Sequence, residues 1–280
     1  MKNKIPKTLI TGADGMVGSY VDFGIKTDRE SLDVTNLNEV FAVVKRHKPK
    51  VIIHLAALTD LDAQEKNPSY AYEVNTIGTY NMALAAQAVE AKFVYVSSIG
   101  VFDGTKKGPY TESDTPNPQN YYGHSKYAGE LIVQALLKDY IIARSGWMFG
   151  GGPSRDKKFV AKIITQLGNK DILEIKALDD VIGSPTFAKD LIATLKKLIL
   201  KNAKGIFHLT NKGICSRYDI AKHIVEFMKP ETKVVAVDSS YFNLPARRVG
   251  NESAKSKVNL MRPWKEALTE YLTTEWKPTK

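Results

Sequence analysis

Short apolar runs alternate with amphipathic stretches through the first half of the chain. Thr8–Ile10, Val51–Leu55, Phe93–Ser97 and Tyr140–Arg144 are rich in apolar, β-branched or aromatic residues, the pattern of strands buried on both faces. Between them Leu37, Val40, Phe41 and Val44 recur at helical spacing, with Asn36 placed to cap the helix and Glu39 three residues on. Residues 69–89 and 121–138 carry longer helical patterns. This repetition predicts an α/β fold, a doubly wound parallel sheet of the Rossmann type with helices on both faces. Ligands in such sheets bind beyond the carboxyl ends of the strands, which points to the loops after residues 11, 28, 55, 97 and 144.

After about residue 145 the rhythm changes. Gly150-Gly151-Gly152-Pro153 is a break, followed by shorter elements: helices near 156–168 and 187–200, strands near 172–176 and 206–209. Ser216-x-x-Asp219 opens a helix running to about Met228, and a last helix starts near Pro263. The expected organisation is a dinucleotide-binding domain over 1–146, to which 186–205 returns. A smaller substrate-binding lobe is expected from 147–185 and 206–280.

Composition narrows the class. No apolar run approaches the ~20 residues of a membrane span, and the basic start, Met1 to Lys7, has no signal-peptide apolar core. A cytoplasmic protein is the expectation. One cysteine, Cys215, excludes an intrachain disulfide and a cysteine-rich zinc site, and no metal site is expected. The net charge of +10 favours anionic ligands such as a dinucleotide or a nucleotide sugar. The lysines are scattered, so a nucleic-acid partner is not expected.

Gly12, Gly15 and Gly18 follow the first predicted strand at a spacing of three. Glycines in such a turn permit a tight bend, close approach of backbone to a pyrophosphate, and packing of helix on strand. Met16 and Val17 lie within the turn, and the phosphates are expected at the N-terminus of the helix that follows. Only nine residues separate Gly18 from Asp28, so that helix has barely two turns and ends near Gly24. Asp28-Arg29 is expected at the end of the second strand, beside an adenosine ribose. A carboxylate there accepts from a ribose 2′-hydroxyl, and a guanidinium pairs with a 2′-phosphate. Both are present, so use of both NAD and NADP is expected.

Tyr122 and Lys126 stand four residues apart at the start of the 121–138 helix, hence on one face. An ammonium nearby lowers a phenol's pKa, and such a tyrosine can pass a proton to a carbonyl oxygen. A second match, Tyr218 and Lys222, lies in the later lobe away from the strand ends and reads as structural. Ser98 ends the 93–97 strand, 24 residues before Tyr122. His54 sits within an apolar strand and reads as a core histidine. His124 points off the Tyr122–Lys126 face.

With these residues in place the chain resembles the extended short-chain dehydrogenase/reductase family. Gly12, Gly15 and Gly18 match its phosphate turn, and Asp33-Val34 resembles its adenine-contacting pair. Ala56-Ala57-Leu58 matches the loop that runs past the cofactor, and Asn75 a structural asparagine counted with the cofactor site. Ser98, Tyr122 and Lys126 match its catalytic set, with Val96 and Ser97 beside the cofactor. A narrower resemblance is to the dTDP-4-dehydrorhamnose reductases. Val101-Phe102-Asp103-Gly104, Arg144 to Gly150, Gly183-Ser184-Pro185-Thr186, Gly205 to Leu209 and Ala246-Arg247-Arg248 carry it.

The resemblance implies NAD(P)H-dependent reduction of a 4-keto nucleotide-diphospho-sugar. The substrate would be held by Ser98, Ile99, Tyr122 and Trp147. A core role at the lobe junction is the other reading of Trp147. A homodimer is compatible with this family. Ser97-Ser98-Ile99-Gly100 stands where the reductases carry Ser-Thr-Asp-Tyr, and is closer to the epimerase and dehydratase branches. Two alternatives stay open: an epimerase or dehydratase of the same superfamily, and a non-catalytic nucleotide-binding regulatory subunit.

Overall fold

The computed structural model describes residues 5–169 and 171–276. The basic start at Met1–Lys4, part of the segment read above for a signal sequence, lies outside them. β1 (Thr8–Thr11) is buried along its length. A loop and one 3-10 turn over Gly18–Tyr20 lead to β2 (Ile25–Lys26). Next come α1 (Leu37–His47), β3 (Val51–His54), α2 (Leu61–Lys66) and α3 (Pro68–Tyr72). A π turn over Glu73–Ile77 continues into α4 (Gly78–Ala88). β4 (Lys92–Ser98), α5 (Tyr121–Leu136) and β5 (Tyr140–Ser145) close the first half.

The second half runs through β6 (Met148–Phe149), α6 (Gly152–Arg155), α7 (Phe159–Leu167), β7 (Glu174–Leu178), β8 (Ile182–Gly183) and β9 (Thr186–Phe187). It continues with α8 (Ala188–Leu200), β10 (Gly205–His208), β11 (Cys215–Ser216) and α9 (Arg217–Met228). β12 (Lys233–Val237), β13 (Asn251–Glu252) and α10 (Trp264–Glu275) complete it.

Six strands form one parallel sheet in the order β10-β5-β4-β3-β1-β2. The apolar stripes read from the sequence cover its two faces. Val40 and Val44 of α1, Met82 to Ala86 of α4 and Val133 of α5 bury Leu9, Ile52 and Phe93 on one side. Leu191, Leu195 and Leu198 of α8 bury Ile10, Ile53 and Val94 on the other. Caps fall where expected: Asn36 accepts from Glu39 N, and Ser216 and Asp219 form a reciprocal capping box. The strand order reverses between β1 and β3, so the crevice beyond their carboxyl ends is the expected ligand site.

A second core lies among α7, α9, α10 and β7, built on Ile163, Ile175, Ile224, Trp264, Leu268 and the stacked rings of Phe149 and Phe187. β8 is flanked by β11 and β13 in a small three-stranded sheet, and β12 pairs with β7. Among the described residues no helix is long and apolar enough to cross a membrane.

Three expectations are corrected. The two-turn helix after the glycine turn is a single 3-10 turn, because Ile25 must already pair with Leu9. No α-helix N-terminus therefore follows that turn. The helix over 69–89 is interrupted by the π turn at Glu73–Ile77. The strand near 206–209, assigned above to the smaller lobe, is β10, which pairs with β5 in the main sheet. The amphipathic α8 before it makes one more strand-helix-strand crossover.

Candidate active site

The glycine turn bends at Gly12, whose φ is +64°. A Cβ there would lie 2.7 Å from Ala56 N, so only glycine lets the turn after β1 press against the loop after β3. Ala56 N also donates to Thr11 Oγ1 at 3.3 Å. Gly15 and Gly18 hold the rest of the turn, and Gly15 N and Ser19 N donate within it. Among the described residues the N–H groups of Met16 and Val17 find no acceptor in the protein. Two unpaired backbone donors on a tight turn form a place for an anion.

Asp28 follows Thr27, whose N–H still pairs with Ile10 O, so the pair Asp28-Arg29 does sit at the end of the edge strand. Asp28 accepts from Ser31 N and Ser31 Oγ at 2.9 and 2.7 Å, bonds that hold its carboxyl below the usual range. Arg29 is exposed. Asp33 accepts from Thr35, whose N–H and hydroxyl lower its pKa. Val34 is buried against α4, and its carbonyl accepts from Asn81. Ala56, Ala57 and Leu58 of the loop after β3 are half-buried.

Two residues counted with the cofactor turn their side chains away from it. Asn75 is fully buried and spends its amide on Leu58 N and O, Gln64 and Ser125. It ties the loop after β3 to α5 rather than facing the crevice. Ser97 donates at 2.6 Å to Glu130, which forms a buried pair with Arg144. Its side chain therefore faces the interior, while Val96 alternates to the other face.

α5 begins at Asn120, which accepts from Gly123 N at 2.8 Å. This places Tyr122 on the first turn and Lys126 one turn on. Ser98 ends β4 with its Oγ accepting from Gly100 N at 3.0 Å. A Cβ built on Gly100 would stand 3.2 Å from Ser98 Oγ and 3.9 Å from Tyr122 Cε1. Ser98 Oγ and the Tyr122 ring thus lie side by side at Gly100, close enough that a side chain there would crowd the serine hydroxyl.

Burial pushes the Tyr122 phenol above its ordinary pKa, the Glu252 carboxylate adds to the rise, and the Ser98 hydroxyl opposes it. The expected lowering by Lys126 is not what this arrangement gives. The Lys126 ammonium lies 4.2 Å over the Tyr95 ring and is itself pushed down to about 7 by burial, with Glu130 opposing. His54 shares a 2.8 Å hydrogen bond with Thr11 Oγ1, and burial lowers it to about 3, as befits a neutral core histidine. Lys222 pairs with Glu226 on the surface of α9, and Tyr218 packs on the second core.

Trp147 is half-buried and strained, with φ +40°. Its ring passes over Gly183, where a Cβ would come within 2.5 Å. The Arg217 guanidinium lies over the ring, 3.7 Å from its centroid. Its Nε1 donates to Glu252 Oε2 at 2.6 Å. Ile99, expected to touch substrate, is fully buried with Val101, Phe102 and Tyr110. Gly100 is the residue that lies beside Ser98 Oγ and Tyr122 instead. Sequence reasoning missed Glu252, Arg217 and Gly100; the unusual Ile99-Gly100 pair was the available signal.

The model of the family described as the RmlD substrate binding domain matches residues 6–276. The spore coat polysaccharide biosynthesis protein SpsK of Bacillus subtilis strain 168 is 33% identical over 279 residues, 95% of this chain and 96% of that protein. A solved dTDP-4-dehydrorhamnose reductase from Clostridium acetobutylicum superposes with a TM-score of 0.90 at 37% identity, covering 95% of this chain and 98% of the other. A dTDP-4-dehydrorhamnose reductase from Bacillus anthracis, solved in complex with NADP, gives 0.89 at 34% identity, with 96% and 99% covered.

Proposed function

The chain belongs to the family of the RmlD substrate binding domain, and from that premise we propose that it is a nicotinamide-dependent reductase of a 4-keto nucleotide-diphospho-sugar. The observation that carries this reading is the convergence of Ser98 Oγ and the Tyr122 phenol beside Gly100. A carbonyl oxygen within reach of both would meet two hydroxyl groups.

The glycine turn suits the pyrophosphate of a dinucleotide. Gly12 presents backbone with no Cβ, and Met16 and Val17 offer free N–H groups. When bound, the reduced nicotinamide supplies the hydride to the carbonyl carbon. Tyr122 gives its proton to the carbonyl oxygen, and its raised pKa keeps that proton in place until it is needed. Ser98 Oγ, fixed by Gly100 N, holds the same oxygen. Lys126 lies on the following turn of α5, buried and without a carboxylate in ion-pair reach among the described residues. It is free to engage the cofactor's ribose. Trp147, held by Gly183, Arg217 and Glu252, is placed to border the sugar with whatever edge of its ring those contacts leave uncovered.

The test is consumption of NADH or NADPH against a panel of nucleotide 4-keto sugars. Net oxidation of the cofactor with one of them supports the reductase reading. Turnover of sugar without net oxidation assigns the site to an epimerase. Tight cofactor binding with no turnover assigns it to the non-catalytic subunit, the reading that the shortened glycine-turn segment favours.

A further inference from the structure

Glu252 stands beside the reaction space without a part in the steps above. It arrives on β13, opposite Gly183 of β8. Its Oε2 is held by Trp147 Nε1 at 2.6 Å. Its Oε1 lies 3.4 Å from the point where a Cβ on Gly100 would stand, the same point bordered by Ser98 Oγ at 3.2 Å and Tyr122 Cε1 at 3.9 Å. Among the described residues no side chain or backbone group donates to Oε1.

We propose that Glu252 is a specificity-determining residue, whose Oε1 accepts a hydrogen bond from a hydroxyl on the sugar carbon next to the reacting carbonyl. This rests on the reductase reading. Ser98 and Tyr122 fix the position of the carbonyl oxygen, and the substituent on the adjacent ring carbon is one carbon–carbon bond away. The carboxylate that meets it is an acceptor only, so it pairs with a hydroxyl and gains nothing from hydrogen. The acceptor is rigidly placed. Trp147 holds its second oxygen, and the indole itself packs on Gly183 and beside Arg217. Preorganised acceptors of this kind discriminate more strongly than apolar walls do.

The acid also explains the Ile99-Gly100 pair. A side chain at position 100 would enter the space that Glu252 Oε1 borders. Glycine keeps a side chain from crowding Ser98 Oγ and Glu252 Oε1, and the recognition group comes from a distant strand.

The experiment uses a dTDP-linked 4-keto-6-deoxy sugar with the adjacent hydroxyl and its deoxy counterpart at that carbon. Each is measured as Kd by calorimetry on the NADP-bound protein and as kcat/KM by turnover. The wild type should favour the hydroxylated compound by about tenfold or more. Glu252→Met, which keeps side-chain volume, and Glu252→Ala should both bring the ratio close to one. The loss should fall on the hydroxylated compound alone, with NADPH affinity unchanged. Trp147→Phe keeps the carboxylate but frees its second oxygen, and should reduce the preference without abolishing it. A wild type without preference, or either Glu252 variant that retains it, overturns the proposal. Absence of turnover in the wild type defeats the reductase reading instead, and the Kd ratio then still judges Glu252.

Discussion

Tyr122 and Lys126 divide the work of one helix turn by how each is buried. Burial raises the phenol's pKa, which suits the proton-donor role proposed for Tyr122. The ammonium is pushed down to about 7, whereas an unfolded lysine titrates near ~10.4. Above about pH 7 the native chain therefore holds one proton fewer than the unfolded chain. Stability of the cofactor-free protein should rise with pH across that window, by at most about 1.4 kcal/mol per pH unit from this group. Denaturant titration from pH 6 to 9 should show this slope in the wild type and its loss in Lys126→Met. Equal slopes in the two proteins would contradict the burial of a titrating Lys126. The positions of Ser98, Tyr122 and Lys126 were legible because helical spacing and strand ends are local properties. The fall in the Lys126 pKa and the nearness of Glu252 were not, since both come from neighbours remote in sequence.

The crevice is made by two loops that touch. Gly12→Ala places a Cβ against Ala56 N in a left-handed conformation, which costs about 1–2 kcal/mol before any clash. It should lower the melting temperature and weaken dinucleotide binding in the same variant, because the turn must move away from the Ala56 loop. A variant with wild-type NADPH affinity would show that this turn does not hold the cofactor. The strands and α1 could be read from periodicity, since the sheet is buried on both faces and the helix on one. The segment after Gly18 could not. Its residues could form a helix, but the register of β2 on β1 leaves too little chain for one. The place of β10 was hidden for a related reason: a short strand does not reveal which sheet it joins.

Across the molecule, the positive charge read from the sequence meets a crevice suited to an anionic cofactor and an anionic sugar. We place cofactor choice at the end of the edge strand. Asp28 is held by Ser31, and Arg29 is exposed beside it. Preference between NADH and NADPH should stay within about tenfold, or ~1.4 kcal/mol. Asp28→Ala should shift it towards NADPH and Arg29→Ala towards NADH, read as kcat/KM for each cofactor. A ratio unmoved by both changes would place the ribose elsewhere.

Whether Tyr122 is the proton donor of a reductase is decided by single-turnover reduction of a dTDP-linked 4-keto sugar by NADPH-loaded wild type and Tyr122→Phe. The wild type should oxidise one NADPH per sugar reduced. Tyr122→Phe should bind NADPH with near-normal affinity and react about 10²–10⁴-fold more slowly. Reduction at an undiminished rate in Tyr122→Phe, or sugar conversion in the wild type without oxidation of NADPH, would contradict the assignment.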